Sequence, residues 1–200
     1  MTWIKTIKYN DASGKLKILY DRIKGANNYI DNIMVAHSLR PNTLKGHMSL
    51  YKNTLHHANN SLPKWFLEAI GVYVSLINGC EYCLKHHARG MARHINDEKV
   101  ANEIIRALEN DAPDMYFTGK ELAILDYVRV LTLSPGEVTR KDVSMMQVVG
   151  LGDDVILEIN QVVAYFAYAN RTVMGLGVDT EGEIIGLSPG DNDEDNWHHQ

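Results

Sequence analysis

The chain has two cysteines in 200 residues, Cys80 and Cys83, and His87 follows four residues after the second. Twelve residues before Cys80, Glu68 interrupts an apolar run of Trp65, Phe66, Leu67, Ala69 and Ile70. Two thiols, an imidazole and a carboxylate are the parts of a dithiol redox site. Residues three apart on a helix hold their Cβ atoms ~5–6 Å apart, and a disulfide needs about 3.8 Å. The pair can therefore close with a modest adjustment of one helical turn. Two other readings stand beside this one. The thiols could be unrelated core residues, or they could join His86, His87 or His94 around zinc. Tetrahedral zinc asks for four ligands, and no second cysteine pair is present to supply them.

Placement sharpens the redox reading. Asn78-Gly79 ends one helical pattern, so the cysteines occupy the first turns of the next. Unpaired amides and the positive end of the helix dipole pull a thiol down from ~8.5 toward 7 or below, Cys80 more than Cys83. His87 lies i+4 from Cys83 and can take its proton, but stands about 10 Å along the axis from Cys80. His86 and His94 read as ordinary solvated or core residues. On one straight helix Glu68 would lie about 18 Å from Cys80. If the chain reverses at Asn78-Gly79, position 68 reflects onto roughly position 88, beside His87. The relay Glu68–His87–Cys83 therefore depends on an antiparallel helix hairpin; without it, Glu68 is a surface carboxylate.

The elements that must hold this hairpin are helical throughout. Leu16, Leu19 and Ile23 mark a helix from Ser13 to Gly25, and Ile30, Ile33, Met34 and His37 mark a second before Pro41. Leu44, Met48, Tyr51 and Leu55 mark a third from Asn42 to Ala58, with His56-His57 at its solvent-facing end. Ser61 and Pro63 open the helix that carries Glu68. Asn96 or Asp97 caps the next stripe, Val100, Ile104 and Leu108. Thr118 with Glu121 has capping-box spacing, and Thr139 with Asp142 opens a short helix closed by Gly150. From Asp153 or Asp154 to about Met174 the chain is apolar almost all round, which predicts a helix buried centrally or between subunits. No stretch alternates with the period of a strand, so the fold class is all-α.

Bulk properties predict one domain over residues 1–187 and an acidic, flexible tail over 188–200. Six acids and no Lys or Arg fall in residues 181–200, so the net charge of -5 belongs to the tail. No basic stripe suggests nucleic acid, and no apolar run approaches the ~20 residues that span a membrane. The N-terminus lacks the apolar core of a signal peptide, which makes the cytoplasm the expected address. In that compartment a close cysteine pair is more often catalytic or metal-binding than structural.

A glutamate, twelve steps to Cys-x-x-Cys and a histidine four beyond resemble the alkylhydroperoxidase D-like family of the carboxymuconolactone decarboxylase superfamily. The surrounding SLINGCEYCLKHH (75–87), the downstream Asn170-Arg171 and the closing GLGV (175–178) fit too. The similarity spans about residues 15–180 and is closest to the peroxidase-related subgroup. It implies an all-helical fold assembling as trimers or hexamers. It also implies thiol-dependent peroxidase or disulfide-reductase activity without a cofactor or metal, with a lipoyl-type or thioredoxin-type dithiol as reductant. Glu68, Cys80, Cys83 and His87 match the family's relay. The departure is Tyr82, where well-known members place a histidine immediately before the second cysteine. Tyr82 can donate a hydrogen bond but, as an acid near pH 10, does not replace an imidazole. The expectation is a hydroperoxide-reducing thiol enzyme in which Cys83 attacks and Cys80 resolves. The alternatives are a redox sensor or disulfide relay without peroxide turnover, a non-redox decarboxylase-like member, and a metal-binding module.

Overall fold

The computed structural model describes residues 2–189 and 197–199. Nine α-helices run through the described residues: α1 Gly14–Ile23, α2 Asn32–Ala36, α3 Pro41–Tyr51, α4 Lys64–Asn78, α5 Glu81–Ile95, α6 Glu98–Glu109, α7 Gly119–Leu133, α8 Arg140–Val148 and α9 Asp153–Leu176. Among those residues the sole β feature is an isolated antiparallel bridge between Pro189 and His199. The fold is all-α, as the sequence predicts. No helix of the described residues is long and apolar enough to cross a membrane.

The central element is α4, not α9. Every residue from Phe66 to Ser75 is buried, and α5, α6, α7 and α9 pack around it. An all-round apolar sequence can be stable only where neighbours cover each face. In contrast, α9 buries one face, through Ile159, Val162, Val163 and Phe166, and leaves Leu157, Tyr168 and Met174 exposed. The two helices meet at Gly71, where an added Cβ would lie 2.0 Å from the Phe166 ring. Gly71→Ala is therefore expected to lower stability by about 1–3 kcal/mol through overpacking. Urea unfolding checks it, and a wild-type midpoint would overturn the expectation.

Gly79 ends α4 in the left-handed conformation (φ 71°), which glycine adopts without a Cβ penalty. Its N–H donates to Leu76 O, that of Cys80 donates to Ser75 O, and the chain turns directly into α5. The expected hairpin is present.

Two local expectations change. The helix predicted to reach Ala58 stops at Tyr51 and continues as a π-helical turn, Lys52–His56. The extra residue per turn rotates His56 inward, where it is 2% exposed rather than solvent-facing. Thr118 makes no side-chain cap, so its capping box does not form. At α8 the Asp142 carboxylate accepts from both the N–H and the hydroxyl of Thr139.

Beyond α9 the chain folds back over α2 and α5. Ser188 is buried, as are Trp197 and His199. Of the expected acidic tail, residues 190–196 and 200 lie outside the described residues.

Candidate active site

The hairpin brings Glu68 of α4 against His87 of α5, with His87 Nδ1 donating to Glu68 Oε2 at 2.6 Å. Both side chains are largely sealed from solvent. Space for the carboxylate comes from Gly90, one turn below His87: a Cβ there would lie 3.1 Å from the Glu68 carboxyl carbon. The His87 ring stands edge-on to Phe166, with centroids 4.6 Å apart. That contact links the tight α4–α9 crossing to the orientation of the imidazole. Burial pushes the Glu68 carboxyl upward, but the charge and hydrogen bond of His87 outweigh it and leave the pKa below its ordinary value. A carboxylate held to Nδ1 fixes the tautomer and leaves Nε2 for proton transfer.

Cys80 and Cys83 are free thiols and both are buried. Cys80 is the N-cap residue of α5. The two thiols hydrogen-bond to each other, and their pKa values separate. The hydrogen bond from Cys83 lowers that of Cys80, against burial and with support from the Cys83 and Tyr82 amides and the Asn170 side chain. The same hydrogen bond, with burial, raises that of Cys83. The resting negative charge therefore favours Cys80, at the helix end, and the shared proton favours Cys83. Asn170 is fully buried between α9 and the hairpin. It donates to Ser75 Oγ at 3.2 Å and accepts from Asn78 Nδ2 at 3.0 Å. The sequence offered these residues only as a motif word; the structure places Asn170 against both sulfurs.

Beside Cys83 and His87 lies a small cavity of about 40 Å³. Glu68, Cys83 and His87 line it, whereas Cys80 does not. Its walls include Tyr51 and Tyr165, and the returning C-terminal segment closes it with Gly186, Leu187, Ser188 and His199. The volume suits one or a few water-sized groups. His87 forms no hydrogen bond to either sulfur; the two thiols and the His–Glu pair share the hairpin, and Cys83 meets that pair at the cavity.

Tyr82 does not point its hydroxyl at the thiols. It donates to Glu183 Oε1 at 2.9 Å and receives the Ile33 N–H at 3.3 Å. Glu183 also accepts from Asn32 N and from His86 Nε2, the latter at 3.0 Å. His86, which the sequence presents as ordinary, is thereby a structural link to the C-terminal segment. A third pair joins His199 Nδ1 to Asp31 Oδ2 at 2.6 Å, both residues buried. His47 sits among these rings, 4.8 Å from His37 between centroids. Burial lowers both His47 and His56 to about 3, so each ring is neutral at ordinary pH. No local spacing announces Glu183, Asp31, His199 or His47. They come from segments far apart in sequence and meet only in the folded chain. Among the described residues no group of three or more His, Cys, Asp or Glu side chains is arranged to hold a metal ion.

Residues 41–130 match the model of the carboxymuconolactone decarboxylase family. No curated protein matches the sequence. Among solved structures, the chain is similar to a peroxidase-related alkylhydroperoxidase AhpD core protein from Ralstonia eutropha JMP134. That pair has 17% identity, a TM-score of 0.76, and coverage of 89% of this chain and 91% of the other. A peroxidase-related protein from Silicibacter sp. TM1040 has 21% identity and a TM-score of 0.66, over 84% of this chain and 85% of its own. The debrominase Bmp8 in its apo form has 17% identity and a TM-score of 0.67, over 85% and 87%. At these identities the likeness is one of fold.

Proposed function

We propose that this chain, a carboxymuconolactone decarboxylase family match over residues 41–130 in an alkylhydroperoxidase D-like helical fold, is a cytoplasmic thiol-dependent peroxidase working as a homo-oligomer. The observation that carries the reading is the Glu68–His87 pair facing the same cavity as Cys83. Of the two cysteines, it is Cys83 that lines this cavity with His87. Its proton, favoured on Cys83 at rest, passes to His87, and the thiolate attacks one peroxide oxygen. An S–O bond forms as the O–O bond breaks; sulfur is oxidised to a sulfenic acid and the peroxide is reduced to an alcohol, which takes up a proton. Cys80 then displaces the sulfenic oxygen as water, forming the disulfide. A dithiol of the lipoyl or thioredoxin type restores both thiols by exchange.

A stoichiometric pulse of hydroperoxide is expected to consume two thiols per chain, recovered by a dithiol. In Cys80→Ser, the sulfenic acid is expected to persist on Cys83; its appearance only in Cys83→Ser would reverse the order of attack. A monomer in light scattering would remove the assembly from the proposal. One observation favours a second reading. Tyr82 stands in the place of the family's histidine and spends its hydroxyl on Glu183, which suits a redox sensor that oxidises without turnover. Steady-state peroxide consumption with a dithiol present separates the two.

A further inference from the structure

The cavity holds a second carboxylate–imidazole pair that the relay above does not use. His199 donates through Nδ1 to Asp31 Oδ2 at 2.6 Å, the same length and the same ring nitrogen as in the His87–Glu68 pair. Its Nε2 is buried without a hydrogen-bond partner, as is Asp31 Oδ1. A polar atom sealed away from water and left unpaired costs stability unless it serves something. The Tyr51 ring stands between the two pairs, 6.5 Å from His87 and 5.8 Å from His199 between centroids.

The backbone holds this residue in place rather than letting it drift. His199 pairs with Pro189, and its N–H reaches Ile23 O. Its carbonyl rests on Gly25, where a Cβ would lie 2.7 Å away. Arg22 covers Trp197 at 4.1 Å, and His198 Nδ1 lies 2.8 Å from Lys24 O.

We propose that His199, held by Asp31, is the proton donor to the alkoxide that leaves when Cys83 attacks a hydroperoxide. This rests on the peroxidase reading and supplies the acid that Tyr82 cannot. As the O–O bond breaks, the departing oxygen takes the electron pair, and the His199 imidazolium gives it the Nε2 proton. The alcohol leaves and His199 is reprotonated from solvent. The other imidazoles lining the cavity are committed. His87 serves the thiol. His86 has Nε2 on Glu183 and Nδ1 receiving the Gly186 N–H. Burial holds His47 near 3, so its ring stays neutral, with no acidic second proton to give at neutral pH.

The test exploits leaving-group basicity. An alkoxide from tert-butyl hydroperoxide needs a proton, whereas acetate leaving from peracetic acid does not. Single-turnover thiol oxidation of His199→Gln is expected to slow by about 10²–10⁴-fold with the alkyl hydroperoxide and to stay within about threefold with peracetic acid. Asp31→Asn is expected to show the same selectivity in weaker form. Equal losses with both oxidants would make His199 merely structural, and no loss with either would overturn the proposal. If the wild type loses no thiols to either oxidant, the peroxidase reading itself fails. A diamide control, which closes the disulfide without an O–O bond to break, should leave His199→Gln and wild type alike; a slowed variant there would mean a disturbed thiol pair and overturn the assignment.

Discussion

Glu68→Gln is expected to lower the rate of hydroperoxide-driven oxidation of Cys83 by about 10²–10⁴-fold, the usual scale for a general base. The amide is nearly the same size, so packing against Gly90 and the turn at Gly79 should survive. What changes is the partner of His87 Nδ1. The carboxylate accepts a hydrogen bond at 2.6 Å and holds the ring in one tautomer; in the proposed reaction it would stabilise the imidazolium formed when the thiol proton arrives. Glutamine can accept the bond with its oxygen but brings no charge. Oxidation by diamide should remain at the wild-type rate, because the sulfur pair is untouched. Peroxide oxidation at the wild-type rate would remove Glu68 and His87 from the chemistry and leave the thiols acting alone.

Fold stability is expected to fall steeply as the pH drops below about 6.5, because two histidines are buried neutral. His47 and His56 are both held to about 3 by burial, against 6.5 in an unconstrained ring. Between those values the unfolded chain binds a proton at each ring and the folded chain does not. Unfolding therefore takes up protons, and stability rises with pH across the window and is lost as pH falls through it. Two such rings give a slope approaching about 2.7 kcal/mol per pH unit in the steepest part. His37, also lowered by burial, adds in the same direction. Glu68, depressed in the folded state, contributes stability that is present above its unfolded pKa and lost as pH falls through the folded one, which reinforces the trend at lower pH. Urea midpoints measured from pH 7.5 to 4.5 read this directly. His56→Phe should roughly halve the slope, and a flat wild-type profile would show that the rings are not sealed.

The two expectations concern different histidines, and the difference is a matter of partner. His87 is buried beside a carboxylate and can hold charge. His47 and His56 have no hydrogen-bonded carboxylate, each has an unpartnered ring nitrogen, and burial keeps both neutral. Sequence distinguishes them poorly. His87 was legible because i+4 from a cysteine is a geometric statement on any helix. The helical period, carried through to Ala58, puts His56 at a solvent-facing end. A single π-helical turn at Lys52–His56 rotated it into the core.

By itself the sequence determined the helical class, the hairpin and the Glu68–His87 contact that the hairpin creates. Those depend on short-range rules: apolar period, a glycine free to turn left-handed, and residues three and four apart on one helix face. Glu68 and His87 are nineteen positions apart, yet one turn brings them together. Only the tertiary structure decided the rest of the site. Asp31, Glu183, Asn170 and His199 come from segments on the far side of the chain, and no spacing rule connects them to position 83. Glu183 looked like part of an acidic tail, but its side chain is buried beneath Tyr82 and His86. Which helix is central follows from packing for the same reason. Apolar composition says that a helix needs cover, and only packing says which of two such helices, α4 or α9, receives it on every side.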